Sequence, residues 1–150
     1  RLKENIRYFL EHSGEKDGLI IAGNVENKIQ HERIHYVGEL SIDKLFSLYK
    51  ASKYFIHLAW LDHCPNVVVD AMACGCQIIC SSAGGTKEIA GENAIIIEED
   101  EWDFSPIALY KPPLLNFDKK VKNIWHNNDE YDMLSVSKKY YDFINGVNNV

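Results

Sequence analysis

The chain reads as an α/β protein, a Rossmann-like parallel sheet with helices on both faces, and three observations predict it. Short apolar runs alternate with stretches whose apolar residues recur at helical spacing. Glycine or proline marks many of the junctions between them. A length of 150 residues suits one domain able to bury its own core. Strands alternating with helices in this way build parallel sheets through right-handed crossovers.

Taken in order, residues 1–12 place Leu2, Ile6, Phe9 and Leu10 on one helical face, and Gly14 stops the helix. Residues 18–22 form a first strand ended by Gly23 and Asn24. The polar stretch 24–32 is expected to include a short helix, and residues 34–37 form a second strand closing at Gly38. Ser41 suits the N-cap of a helix running to residue 51, with Ile42, Leu45, Phe46 and Tyr49 facing inward. Residues 54–58 are the next strand.

Pro65 fits the first turn of the following helix, because its missing N–H has no intrahelical partner there. Residues 67–74 are small and apolar nearly all round, which predicts a buried helix with Asp70 early in it and Gly75 ending it in a left-handed conformation. Residues 77–80 suit a central strand, and 81–85 a loop at its carboxyl end. A short helix through Glu88 and Ile89 leads to 94–97, expected to be the last strand. Residues 98–113 read as a long loop packed by Trp102, Phe104 and Tyr110. Two closing helices are expected at 117–125 and 129–145, the second with Leu134, Ser137, Tyr141 and Ile144 on one face, before a frayed end at 146–150.

Composition narrows the function. The chain is 46% hydrophobic and 25% charged, ordinary for a globular protein. No apolar run approaches the roughly 20 residues that span a bilayer, and no signal peptide is recognisable. A formal charge of −6 with scattered lysines argues against a nucleic-acid surface, which needs a clustered basic face. Phosphate can still be held by backbone N–H groups. Cys64, Cys74, Cys76 and Cys80 lack the paired spacing of structural zinc sites and read as free thiols, some of them buried. Reduced thiols imply an intracellular, cytoplasmic protein.

Residues 62–88 carry the chemistry. Asp62 and Asp70 flank a loop-to-helix junction; a buried strand follows, then Gly84-Gly85. In an open α/β sheet both halves of this stretch would face one crevice, outside the carboxyl ends of the strands. The pattern of Asp62, seven residues, Asp70, then Ala-Met-Ala-Cys-Gly, an apolar strand and Gly84-Gly85-x-x-Glu88 resembles the donor-binding signature of retaining glycosyltransferases of family 4, which have the GT-B fold. The resemblance covers about residues 34–97. This sequence has Asp at both positions where that family usually has Glu, and His63-Cys64-Pro65-Asn66 where a glycine-rich segment is common.

The resemblance implies that residues 1–150 are a single, incomplete nucleotide-sugar-binding domain, the carboxyl-terminal half of a GT-B enzyme. The acceptor domain, and a first strand and loop whose Arg and Lys bind the diphosphate, are expected ahead of Arg1. The implied activity, in carbohydrate biosynthesis, is transfer of a hexose from a nucleoside diphosphate sugar, UDP- or GDP-linked, to a hydroxyl with retention of configuration. A glycan, lipid or small molecule would be the acceptor, no metal or other cofactor is implied, and the chain alone is expected to be inactive. Two alternatives stand beside it: a nucleotide-sugar epimerase of GT-B fold, which the Gly-Gly-x-x-Glu register disfavours, and a non-catalytic nucleotide-sugar-binding or regulatory module, which the two aspartates and Pro65 would suit.

By the same resemblance Asp62 lies beside the donor sugar near its anomeric carbon; the plain alternative is a loop aspartate in an Asx turn. His63 would bond a donor hydroxyl or phosphate, or is simply solvated. Asn66 and Val67 would offer backbone N–H groups to phosphate or sugar, which Pro65 cannot. Asp70 would accept both ribose hydroxyls, or merely favour the positive end of a helix dipole. Gly84 and Gly85 would let backbone approach the ligand, with Glu88 completing the loop, or mark only a turn. Gly38 and Tyr36 end a strand where the family packs the nucleobase, although Tyr36 also reads as core. Lys87 would contact phosphate or lie at the surface. His57, on a strand, reads as a partly buried histidine with a satisfied hydrogen bond.

Overall fold

A computed structural model describes residues 1–101, 111–122 and 133–147. It begins with α1 (Leu2–His12), which buries Ile6, Tyr8 and Phe9. β1 (Leu19–Ala22) and β2 (Ile34–Gly38) follow and pair in parallel, with Leu19 opposite Ile34. The chain continues through α2 (Ile42–Ala51), β3 (Tyr54–His57), α3 (Asn66–Ala73), β4 (Gln77–Ser81), α4 (Thr86–Ile89), β5 (Ile95–Glu99), β6 (Leu115–Val121) and α5 (Met133–Val147).

The expected α/β architecture is present, but its strands divide between two sheets. β1 and β2 form one; β3-β4-β5-β6 form the other, parallel through β5. Alternation along β4 and β5 distributes their side chains between two cores. Ile78, Cys80 and Ile96 pack with Tyr49 of α2, Val68 and Ala71 of α3, and Ala90. Ile79 and Ile97 pack on the opposite face with Tyr8 of α1, Leu58, Leu115 and Phe117. The four-stranded sheet is therefore covered on both faces.

α1 joins the sheets. Its Ile6 packs against Ile21 and Ile34 of the two-stranded sheet, while Tyr8 enters the core of the other and Asn5 Oδ1 accepts the Leu58 N–H at 3.1 Å. At its start, Arg1 forms an ion pair with Glu99 of β5, the two side chains only 5% and 4% exposed, and donates to the Pro113 carbonyl at 2.8 Å.

Several expectations are corrected. Residues 24–32 contain no helix; instead the Tyr36 hydroxyl takes the Ile29 N–H at 2.9 Å and anchors the segment as a loop. β5 is not the last strand, and residues 117–121 are not helical: β6 pairs antiparallel with β5, Leu115 opposite Glu99 and Val121 opposite Ile96. Leu115 and Phe117 are buried while Asn116 and Asp118 are exposed, the two-residue period of a strand. α5 begins within the expected helix but leaves Leu134, Tyr141 and Ile144 exposed, and it continues to Val147. Ser41 occupies the N-cap position of α2 without a side-chain cap bond. Trp102, Phe104 and Tyr110, with residues 123–132 and 148–150, lie outside the described residues.

Candidate functional site

β3 and β4 run side by side and finish together, His57 opposite Cys80, so the loops after them meet. After His57 the chain buries Leu58 completely, then turns at Leu61, whose φ of 58° lies in the left-handed region. For a branched aliphatic residue that conformation costs on the order of 1–3 kcal/mol and persists only where the surroundings enforce it. Its consequence is the placement of Asp62. Asp62 Oδ2 lies 3.0 Å from His57 Nε2. An ionised carboxylate only accepts, so Nε2 carries the proton. The imidazole is itself held in a stack on Phe55, with 6.1 Å between ring centroids and 12° between planes.

The second loop locks onto the first through backbone. The Asp62 carbonyl accepts the Gly85 N–H at 3.1 Å and the Thr86 hydroxyl at 3.4 Å. At Gly84, with φ 69°, a Cβ would sit 2.5 Å from the Asp62 carbonyl oxygen; at Gly85 it would drive into the carbonyl of His63. The glycine pair is thus required by the approach of one loop to the other. The Ser81 hydroxyl donates to the Ala59 carbonyl at 2.9 Å, and Lys87 Nζ to the Ser82 carbonyl at 2.8 Å, which ties that lysine into the same turn.

Pro65 is buried at the N-cap position of α3, and its carbonyl accepts the Val68 and Val69 N–H groups at 3.0 and 3.4 Å. Asn66 and Val67 open the helix, where backbone donors have no intrahelical acceptor. Both are exposed, Val67 to 40%. α3 buries Val68 and Ala71, so it is covered on one face only. Asp70 is not early in it: it is the fifth residue, beyond the first turn where a helix dipole acts on a carboxylate. It is one turn from Asn66 and Val67 on the same face. Its half-buried carboxylate makes no hydrogen bond or ion pair among the described residues, and its charge adds to the burial that pushes the Tyr49 hydroxyl pKa up.

Asp62, His63, Gly84 and Gly85 are therefore brought into one backbone contact, with Asn66 and Val67 next along the loop and Asp70 a turn beyond. Glu88 is exposed on α4. Gly38 stands apart: it ends β2 in the other sheet at φ 69°, and its carbonyl accepts the Gly23 N–H at 2.7 Å. Sequence reasoning anticipated a bonded His57 but not its partner, and it missed Leu61 and Thr86; no motif signals a strand histidine folding back on an acid five residues on.

The cysteines are free thiols, Cys64 exposed and Cys76 and Cys80 buried. Burial pushes the Cys80 pKa up to about 12, with Lys87 opposing it. Among the described residues no group of three or more His, Cys, Asp or Glu side chains could hold a metal ion, and no helix is long and apolar enough to cross a membrane.

A parallel sheet covered on both faces, with acids and open helix N–H groups at the carboxyl ends of its strands, is a Rossmann-like α/β domain. The family described as glycosyl transferases group 1 matches residues 3–106, and the chain belongs to that family. The chain is also 24% identical over 79 residues to the O-antigen chain mannosyltransferase B of Escherichia coli. That match covers 53% of this chain and 21% of the relative, so the chain spans about a fifth of the relative's length. No solved structure matches it.

Proposed function

We propose that this chain is the nucleotide-sugar-binding part of a GT-B enzyme that transfers a hexose to an acceptor hydroxyl with retention of configuration. The observation that carries the reading is the joint placement of Asp62 and Asp70. One is pinned at the junction of two interlocked loops; the other, a turn inside the helix that those loops lead into, has no bonded partner among the described residues.

In this reading the Asn66 and Val67 N–H groups face the donor phosphate, where a helix amino terminus favours negative charge. Preorganised donors of this kind stabilise the diphosphate as it departs. Asp62 lies against the sugar, where positive charge develops at the anomeric carbon, and Asp70 accepts the ribose hydroxyls. Aspartate is one methylene shorter than the Glu usual at both positions, so the donor must sit closer to α3 than it would against glutamates. The match to a mannosyltransferase makes GDP-mannose the first donor to try, with UDP-sugars next. Basic side chains and N–H groups take the place of a metal. The acceptor, a glycan, lipid or small molecule, binds a second domain, and this chain by itself turns over no substrate.

The test is saturation-transfer NMR of the chain with GDP-mannose, UDP-glucose, UDP-N-acetylglucosamine and ADP-glucose. One donor should show transfer to its ribose and base protons, and Asp70→Ala should weaken that donor at least tenfold while leaving the fold intact. Equal binding by the variant would remove Asp70 from the site.

A further inference from the structure

We propose that His57 is a positioning residue for Asp62: by donating its Nε2–H to Oδ2 it sets the carboxylate so that Oδ1 is presented to the donor sugar. This deepens the proposed function and rests on it.

Four features of the structure converge on that one rotamer. The bond is 3.0 Å long and joins a side chain 18% exposed to one 36% exposed, so the histidine is the interior member and the carboxylate the outer one. The imidazole cannot swing freely, because it stacks on Phe55, which is itself fixed edge-on against buried Tyr49 at 5.5 Å between centroids. The Asp62 backbone is held independently, its carbonyl by Gly85 and Thr86 and its approach by the left-handed Leu61. Finally, Oδ2 is the oxygen bonded to His57, and Oδ1 makes no hydrogen bond among the described residues. A free aspartate samples several rotamers; here main chain and side chain are fixed from two different elements. The arrangement is that of a reactive acid held by an orienting partner, which is how sites keep a group within about 0.5 Å of its working position.

The role makes a prediction that a purely structural histidine does not. Asp62 serves the sugar and Asp70 the nucleotide, so loss of the His57 bond should release the sugar while the nucleotide stays bound. Three variants of this chain, His57→Phe, His57→Gln and Asp62→Asn, are compared with the unmodified chain, using the same four donors and saturation transfer read separately at sugar and ribose protons. His57→Phe retains an aromatic ring against Phe55 but no donor; His57→Gln retains an N–H at similar reach. In His57→Phe the sugar signal should fall at least fivefold relative to ribose, as in Asp62→Asn, and in His57→Gln it should stay within twofold of the original. Long-range proton–nitrogen correlation should find His57 protonated at Nε2, with that nitrogen shifted in Asp62→Asn.

An unchanged sugar signal in His57→Phe, beside a weakened one in Asp62→Asn, would overturn the role of His57 and leave the donor reading intact. Equal loss of sugar and ribose signals in His57→Phe would make the residue structural only. Absence of transfer from every donor to the unmodified chain would end the donor reading, and the role of His57 with it.

Discussion

The two ends of β4 are built in opposite ways. At its amino end, Gly75, Cys76 and Gln77 border an open cavity of about 470 Å³, lined also by Met72, Ala90 and Asn93. Gly75 adopts φ 93° there, and a Cβ on it would meet nothing within 4 Å. At its carboxyl end two loops press backbone on backbone, and a Cβ on either Gly84 or Gly85 would collide. The hollow is lined by Gly91 and Glu92 as well, and at its edge Gln77 Nε2 donates to the Asn93 carbonyl at 2.6 Å. The packed end holds an acid, the histidine bonded to it and the open N–H groups at the start of α3. In the proposed reading, constraint on polar groups rather than volume marks the working end.

The largest effect should come from filling the packed end. Gly85→Ala places a methyl group against the His63 carbonyl, and overpacking of this kind costs about 1–3 kcal/mol; urea unfolding should record that loss, with donor binding abolished because Asp62 moves. Full stability in this variant would break the comparison at its root.

Thiol chemistry sharpens it next. Cys64 is exposed on the loop beside Asp62, whereas Cys80 is fully buried and pushed up to about 12 by that burial. At pH 8, alkylation followed by mass spectrometry should label Cys64 at least a hundredfold faster than Cys80. The sign of the linkage is fixed as well. The folded state holds the Cys80 proton more tightly than the unfolded chain, so its contribution is complete below the unfolded thiol value of about 8.5 and is lost as pH rises from there toward 12.

The smallest effect belongs to the open end. Gly75→Ala meets no atom and has only its left-handed conformation to disturb it, a cost of about 1–2 kcal/mol. Its donor binding should match the original, and a tenfold loss there would mean that the hollow, too, belongs to the site.

Much of the fold was legible because its signals are local. The first helix, the strands through β5, the helix after Ser41 and the stop at Gly75 all follow from periodicity and turn chemistry. β6 was not, since Phe117 and Val121 stand four apart as on a helix while Leu115 and Phe117 stand two apart as on a strand; pairing with β5 decided between them. The helix expected within 24–32 gave way for a similar reason, its backbone being taken by the Tyr36 hydroxyl. In the site, the identities of Asp62, Asp70 and the glycine pair could be read directly. The tight loop contact at the glycines could not: at each, a Cβ would meet the backbone of the neighbouring loop.

The sequence by itself determined which segments become the strands through β5 and the helices of residues 2–12, 42–51 and 66–73, and which acids stand at the loop-to-helix junction, because both depend on residues within a few positions of one another. Only the tertiary structure decided that the strands divide between two sheets, that β6 returns antiparallel, and that His57 and Gly85 together fix Asp62. The partners in each case come from separate elements, and the balance of packing and hydrogen bonding between them exists only once the chain has brought those elements into contact.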